Sequence, residues 1–214
     1  MPDLRHECAL LAEAAGPVAG LDEVGRGPWA GPVMACAVVL PDASDVTGGL
    51  PEMLFASLDD SKKLSLDRRD ALFDPLAAAI PHAFGEASVA EIDELNILQA
   101  SLLAMRRALA ALPYRPGCAL VDGNRDPKLG VPTRLIVKGD SASIAIAAAS
   151  ILAKVRRDRI MGELARDYPG YGWETNMGYG TAAHRAGLDR LGVTPHHRTS
   201  FAPIKARLQT ALNI

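Results

Sequence analysis

Two short apolar runs near the start of the chain predict a pair of neighbouring strands. Residues 18–24 and 31–40 are rich in valine and are bounded by glycine and proline, which is the usual pattern of short buried strands. The "GRGP" segment between them, residues 25–28, is then the turn of a hairpin-like connection.

The middle of the chain is predicted to alternate between helix and strand. Ser65 can cap a helix that begins near Leu66, and "HAFGEASVAEI", residues 82–92, predicts a third strand. Residues 91–112 repeat apolar side chains every three to four positions, which predicts one amphipathic helix. Its apolar positions are Leu95, Leu98, Leu102, Met105 and Leu109.

Two more strands are predicted at residues 118–123 and 133–139, and a long alanine-rich helix follows and runs to about Glu163. Three residues at the start of this helix offer capping oxygens: Asp140, Ser141 and Ser143. This pattern predicts an α/β fold, with a mixed five-stranded sheet flanked by helices.

The amino-acid composition of the sequence changes near Tyr168. The segment "YPGYGWETNMGYGT" is rich in glycine and aromatic residues, and short helices are predicted near 181–191 and 200–211. Because this region holds few large apolar residues, we predict a main domain at 1–167 and a helical appendage of the same structural unit at 168–214.

Composition places the chain among ordinary globular proteins. Hydrophobic residues make up 49% and charged residues 22%, which excludes disordered, collagen-like and membrane classes. The longest apolar run, residues 143–153, is well short of the roughly 18 residues of a membrane-spanning helix. No membrane association is expected.

Charge is unevenly distributed along the chain. Residues 1–60 carry a formal charge of −8 and residues 151–214 carry +5, although the whole chain carries only −2. A basic C-terminal third favours a polyanionic partner such as nucleic acid. A solvated helical face explains the same charges equally well.

The cysteines and the N-terminus favour a cytoplasmic protein. Three widely spaced cysteines without a C-x-x-C pair argue against a disulfide framework and against a thiolate zinc site. The apolar patch "CALLAEAAG" is interrupted by Glu13 and has no basic leader or cleavage site, so we expect no signal peptide.

Four carboxylates follow or end predicted strands. Asp22 and Glu23 end the first strand, Asp122 ends the fourth, and Asp140 follows the fifth. Strand ends in an open sheet bring distant side chains together, and clustered carboxylates repel one another unless cations are present. Oxygen ligands of this type suit Mg²⁺ or Mn²⁺.

Each of these residues also has a simpler explanation. Adjacent acidic residues are usually exposed, Asp122 in "VDGN" is a turn former, and Asp140 is a good helix cap, so only their joint placement favours a site.

Asp158 is excluded from the predicted metal site because a straight helix would put it roughly 25 Å from the helix start, at about 1.5 Å per residue. We predict that it pairs with neighbouring arginines.

A series of motifs resembles bacterial ribonuclease HII. The matching segments occur in the order of that family, between about Ala19 and Phe201: "AGLDEVGRGPWAGPV", "SLDDSKKLS", "LVDGN", "IVKGDSASIAIAAASILAKVRRDR", "YPGYGWETNMGYGTAAH" and "PHHRTSF". The resemblance implies an RNase H-like sheet with a C-terminal helical segment that contacts the substrate. It also implies an endonuclease that cleaves the RNA strand of RNA/DNA hybrids and incises 5′ to single ribonucleotides in duplex DNA.

The resemblance also assigns residues to roles. The implied metal ligands and catalytic carboxylates are Asp22, Glu23, Asp122 and Asp140. The residues implied to contact the ribonucleotide are Gly25, Arg26 and Gly27. Tyr179 is implied to pack on the adjoining deoxyribose, and Lys62 and Lys63 lie in a block on the substrate side. The "HHRTSF" block also matches, with His197 and Arg198 in place.

The residue types suit this chemistry. Two cations about 4 Å apart can activate a water and stabilise the leaving 3′ oxygen, which leaves 5′-phosphate and 3′-hydroxyl ends. Telling RNA from DNA requires contact with the 2′-hydroxyl, and glycines let the main chain approach it. Tyr179 is also explained as an ordinary aromatic residue packed in a glycine-rich loop.

Other activities remain open from sequence. A resolvase-like or transposase-like nuclease can use the same fold, but it has no need of Gly25, Arg26, Gly27 and Tyr179. A phosphate-binding module using "GRGPWAG" is disfavoured because the G-x-x-x-x-G-K-[ST] pattern is missing. The related ribonuclease HIII has an added N-terminal domain, for which the position of Asp22 leaves no room.

The expected partners follow from the resemblance. They are RNA/DNA hybrids and duplex DNA that contains ribonucleotides, and a sliding clamp is a candidate protein partner. The C-terminal "IKARLQTALNI" contains no clear clamp-binding peptide. We expect a monomer.

Overall fold

A computed structural model describes residues 2–13, 16–40, 45, 47–58 and 64–212. Within these ranges the strands are β1 Val18–Val24, β2 Val33–Val39, β3 His82–Ala87, β4 Cys118–Asp122 and β5 Thr133–Ile136. The helices are α1 Arg5–Glu13, α2 Glu52–Phe55, α3 Leu66–Ala79, α4 Val89–Leu95, α5 Ile97–Ala110, α6 Ile144–Asp167, α7 Trp173–Asn176, α8 Ala182–Leu191 and α9 Ala202–Leu212. A 3₁₀ turn at Gly139–Ser141 lies between β5 and α6.

The five strands form one sheet in the order β3-β2-β1-β4-β5. β1 pairs antiparallel with β2 and parallel with β4, and β4 pairs parallel with β5. The predicted mixed five-stranded sheet is confirmed. Since β1, β4 and β5 run in one direction, their carboxyl ends lie along the same edge of the sheet.

Helices cover both faces of this sheet. Cys36 and Val38 of β2 belong to a buried cluster with residues of α6, whereas Ala35 and Ala37 of the same strand pack with residues of α5. A strand that is buried on both faces has apolar residues at successive positions. This explains why β2 is an unbroken apolar run.

α6 approaches β1 closely at one position. A Cβ at Gly20 would overlap the main chain and the side chain of Ala145. Ala145, Ala148 and Ala149 are fully buried in the same cluster, and close-packed interiors leave little room for larger side chains. The alanine-rich sequence at the start of α6 is therefore explained by the short distance between helix and strand.

The predicted single helix over residues 91–112 is wrong, because Asn96 interrupts it. Asn96 has φ of 71° and lies between α4 and α5. Its Oδ1 accepts hydrogen bonds from the N–H groups of Leu98 and Gln99, at 3.0 and 3.2 Å. Asparagine is a preferred helix cap, and the spacing of apolar residues does not reveal a cap.

The predicted strand at 82–92 is too long. β3 ends at Ala87, and Ser88 then starts α4 with a capping box, in which Ser88 and Glu91 bond each other's main-chain N–H groups. The predicted strand at 133–139 likewise ends early, at Ile136.

Several other predicted elements are confirmed. Ser65 caps α3 by accepting a hydrogen bond from the N–H of Arg68, and α8 and α9 lie close to the two predicted C-terminal helices. The long helix α6 extends to Asp167, slightly beyond the predicted end. α1 was not predicted. None of the helices in the described ranges is both long and apolar enough to cross a bilayer.

The chain forms two compact units. The first comprises Met1–Val24, Met34–Glu86 and Leu102–Val155, and the second comprises Gly25–Val33, Ala87–Ser101 and Arg156–Ile214. The second unit has a buried cluster of its own, which includes Ala30, Met161, Tyr171, Trp173, Leu188 and Ile204. The boundary expected at residues 167 and 168 stays a prediction.

Candidate active site

Parallel pairing places Asp22 and Asp122 next to each other in the first unit. Leu21 of β1 pairs with Val121 of β4, and each aspartate is the following residue in its strand. Both lie on the face that packs against α6, because side chains alternate along a strand and Ser150 of α6 bonds the carboxyl of Asp22. The expected convergence of these two strand ends is present.

Asp22 occupies an unfavourable place for a negative charge. Only 5% of the residue is exposed, and this burial raises the pKa of its carboxyl well above the usual value. The charges of Glu23 and Asp122 raise that pKa further, whereas hydrogen bonds from Ser150 and from the Glu23 N–H, the latter at 2.7 Å, act in the opposite direction. A bound cation would offset this repulsion.

The turn that carries Asp140 is attached to Asp122. The N–H of Gly139 donates to Oδ1 of Asp122 at 2.7 Å, and Asp140 is the next residue in the 3₁₀ turn. Asp140 is 3% exposed. A direct hydrogen bond thus joins the turn after β5, which carries Asp140, to the end of β4 at Asp122.

The four predicted ligands suit a hard divalent cation, because all of them offer carboxylate oxygens. The buried Asp22 also lies near the negative charges of Glu23 and Asp122, which a cation would offset. Across the described ranges, however, no three His, Cys, Asp or Glu side chains are arranged around one point where an ion could be held. The complete set of four ligands stays a prediction.

The N-terminal segment fixes the chain that follows Asp140. Oε1 of the fully buried Glu7 accepts hydrogen bonds from the Ser143 hydroxyl at 2.6 Å and from the Ala145 N–H at 2.9 Å. The Ser143 N–H in turn donates to the Gly139 carbonyl at 2.8 Å. Glu7 therefore supports the start of α6 and the preceding turn, a role for which its local sequence gives no signal.

Gly25 and Gly27 are placed differently in the second unit. Gly25 is buried and has φ of 89°, and a Cβ there would overlap the side chain of Arg157. Gly27 is exposed, and a Cβ would lie 3.2 Å from Cε1 of Tyr179. Tyr179 is itself 48% exposed. The structure brings Gly27 and Tyr179 together, and their contact with a substrate stays a prediction.

Two buried arginines support this glycine segment. Arg157 donates to the carbonyl oxygens of Ala30, Pro32 and Met177, and Arg198 donates to four carbonyl oxygens between Gly25 and Pro32. Arg157 stands in the charged run "RRDR" and so resembled an exposed residue in sequence. Arg198 was recognised only as part of its motif.

A histidine network holds the main chain at Tyr179. The Thr194 N–H donates to Nδ1 of His197 at 2.9 Å, so the proton of a neutral His197 is on Nε2. That Nε2 donates to Nε2 of His184 at 3.0 Å, and Nδ1 of His184 donates to the Tyr179 carbonyl at 3.0 Å. Trp173 Nε1 also donates to Nε2 of His184, at 3.1 Å.

Burial accounts for the neutral state of both rings. It lowers the pKa of His184, and it lowers the pKa of His197 to about 4, with the neighbouring His184 as a second cause.

The remaining predicted site residues, Lys62 and Lys63, lie outside the described residues.

Comparison with known proteins gives a consistent result. The family model described as Ribonuclease HII matches residues 19–204. The ribonuclease HII of Paramagnetospirillum magneticum is 57% identical over 95% of this chain and 97% of its own length. That of Jannaschia sp. is 60% identical over 90% of this chain and 92% of its own length.

Solved structures share the fold. The ribonuclease H2 of Pyrococcus horikoshii OT3 aligns with a TM-score of 0.76 and 26% identity over 92% of this chain and all of its own. RNase HII in a PCNA:RNase HII complex from Archaeoglobus fulgidus has a TM-score of 0.72 at 24% identity, over 86% of this chain and 95% of its own. Bst-RNase HIII in complex with Mn²⁺ has a TM-score of 0.69 at 19% identity, over 94% of this chain and 71% of its own.

The match to the family model covers most of the sequence, and both relatives are aligned over nearly their whole length. The predicted RNase H-like architecture is confirmed by the sheet and by these structures. The chain therefore belongs to the ribonuclease HII family and is a type 2 ribonuclease H, a metal-dependent endonuclease.

Proposed function

We propose that this enzyme cleaves the RNA strand of RNA/DNA hybrids and incises on the 5′ side of single ribonucleotides embedded in duplex DNA. The products would be 5′-phosphate and 3′-hydroxyl ends. The main observation in support is the pair of carboxylates, Asp22 and Asp122, at adjacent parallel strand ends of a ribonuclease HII family member.

The carboxylates Asp22, Glu23, Asp122 and Asp140 would hold Mg²⁺ or Mn²⁺. Bound divalent cations supply activation of the attacking water and stabilisation of the leaving 3′ oxygen. The chain's own contribution is to keep the carboxylates in place: the Gly139 N–H orients Asp122, and Ser150 orients Asp22. The similarity to Bst-RNase HIII, which was solved with Mn²⁺, supports the use of Mn²⁺ in assays.

Substrate selection would use the segment that follows the acid pair. The main chain at Gly25, Arg26 and Gly27 would contact the 2′-hydroxyl, which both donates and accepts hydrogen bonds. The half-exposed ring of Tyr179 would pack on the next deoxyribose, and its proximity to Gly27 supports a shared ligand. A substrate-side role for Lys62 and Lys63 also stays a prediction.

Partners are proposed on the same basis. The enzyme would act as a monomer on hybrids and on duplex DNA that contains ribonucleotides. The clamp in the Archaeoglobus fulgidus complex supports a sliding clamp as a protein partner, although the C-terminal sequence carries no clear clamp-binding peptide.

Incubation with Mg²⁺ or Mn²⁺ and a duplex DNA that contains one ribonucleotide is expected to give one incision, on the 5′ side of that ribonucleotide. Denaturing gel electrophoresis of end-labelled strands locates the cut. Absence of this incision, together with cleavage of an all-DNA branched substrate, would instead identify a resolvase-like nuclease.

Replacement of Tyr179 by Ala is expected to slow incision at single ribonucleotides about tenfold or more, equivalent to about 1.4 kcal/mol, because the ring surface next to the deoxyribose is lost. The melting temperature should change little, since the side chain is half exposed. Tyr179→Phe is the matched control, because it keeps the ring and should keep most of the preference for the junction. An unchanged junction preference in Tyr179→Ala would remove this residue from the site.

A further inference from the structure

In the described part of the chain, the hydrogen bonds of the Arg198 guanidinium all go to main-chain carbonyl oxygens. Nε donates to Gly31 at 2.9 Å and Nη1 donates to Arg26 at 3.1 Å. Nη2 donates to Gly25 at 2.6 Å, to Gly31 at 2.8 Å and to Pro32 at 3.1 Å. The residue is fully buried. One side chain thus fixes the direction of several peptide groups in the segment proposed to contact the ribonucleotide.

Burying a cation in this way is costly. The pKa of Arg198 is lowered to about 9, mainly by burial and in smaller part by the positive charge of Arg157. Removing a charged group from water costs several kcal/mol unless hydrogen bonds compensate. The four carbonyl groups provide that compensation, so the direction of these carbonyls and the burial of Arg198 depend on each other.

The direction of the carbonyls determines the direction of the N–H groups. In a trans peptide the C=O of one residue and the N–H of the next point in opposite directions, and the described chain has no cis peptide. Because the carbonyls of Gly25 and Arg26 point towards Arg198, the N–H groups of Arg26 and Gly27 point away from it. Arg26 and Gly27 are both exposed residues.

We infer that Arg198 is a positioning residue for ribonucleotide selection: by binding the carbonyls of Gly25 and Arg26, it presents the N–H groups of Arg26 and Gly27 to the 2′-hydroxyl oxygen of the substrate. This inference rests on the proposed function of the Gly25–Gly27 segment. Arg198 itself does not touch the substrate.

Arg157 provides an internal comparison. It is also buried, at 1% exposed, and it donates to the carbonyls of Pro32 at 3.0 Å, Ala30 at 3.1 Å and Met177 at 3.0 Å. Two of these bonds support the same segment further along the chain, at Ala30 and Pro32. None of the three goes to the carbonyl of Gly25 or Arg26. Either substitution removes main-chain hydrogen bonds of a buried guanidinium, five for Arg198 and three for Arg157.

The test compares Arg198→Lys with Arg157→Lys. Fluorescence anisotropy in EDTA, where no cleavage occurs, gives the dissociation constants for two duplexes that differ only in one 2′-hydroxyl. The wild type is expected to bind the ribonucleotide duplex more tightly than the all-DNA duplex. In Arg198→Lys this ratio should fall about tenfold, the loss expected for about one hydrogen bond, whereas Arg157→Lys should keep the wild-type ratio even if both variants melt at lower temperatures.

Equal ratios in the two variants, or no preference in the wild type, would overturn the inference. If Arg198→Lys does not fold, NMR on the wild type provides the test. The ¹⁵N–¹H resonances of Arg26 and Gly27 should shift more with the ribonucleotide duplex than with the DNA duplex. Equal shifts would also overturn the inference. Failure of the proposed function is separate, since it would appear as a wild type that does not incise at the ribonucleotide.

Discussion

Replacement of Asp122 by Asn is expected to lower the incision rate roughly a thousand-fold or more, about 4 kcal/mol of transition-state stabilisation, while the protein stays folded. The amide oxygen of asparagine can still accept the hydrogen bond from the Gly139 N–H that Oδ1 of Asp122 accepts now. The change therefore removes the charge and spares the contact that holds the 3₁₀ turn.

The same substitution should raise the thermal stability of the metal-free protein. Asp122 adds to the repulsion at the buried Asp22, and removal of an uncompensated like charge favours the folded state. Single-turnover incision and thermal unfolding in EDTA measure the two effects. Asp126→Asn is the matched control, because Asp126 pairs with Lys128 at the surface and its loss should leave the incision rate unchanged. Near-normal incision by Asp122→Asn would exclude the ligand role.

Acidification from pH 7 to pH 4 is expected to destabilise the protein by up to about 3 kcal/mol through His197 alone. The folded state holds the pKa of His197 at about 4 instead of 6.5, so the unfolded chain binds more protons between these values. The contribution of His197 to the free energy of unfolding is therefore fully present above pH 6.5 and is lost as the pH drops towards 4. The shift of His184 has the same direction and adds to the loss.

Chemical denaturation at several pH values measures this slope. His197→Phe fills the space among Tyr171 and Trp173 but cannot bind a proton. This variant should be less stable at pH 7, because the N–H of Thr194 loses its acceptor, and its stability should depend less on pH. Equal pH dependence of stability in the wild type and in His197→Phe between pH 6.5 and 4 would contradict the buried, neutral state of His197.

The part of the site that sequence predicted best depends on local patterns. Short apolar runs indicated β1 and β4, and parallel strand ends meet at one edge, so Asp22 and Asp122 could be placed together. The break at Asn96 was missed because apolar periodicity continues through it, whereas a single side-chain cap decides where the helix ends.

The supporting residues could not be predicted, because their roles consist of contacts between distant parts of the chain. Glu7 is 136 residues from Ser143, to which it bonds, and Arg198 is 173 residues from Gly25. In sequence both look like ordinary surface charges. Their burial becomes evident only when the fold supplies main-chain partners.

The close approach of α6 to Gly20 affects how residue variation in this family should be interpreted. Any side chain at position 20 would meet the main chain of Ala145, and a smaller residue at 145 would not remove that obstacle. An invariant glycine here, only two positions before Asp22, would therefore report the distance between a helix and a strand. Evolutionary constancy beside a catalytic carboxylate need not be a record of catalysis.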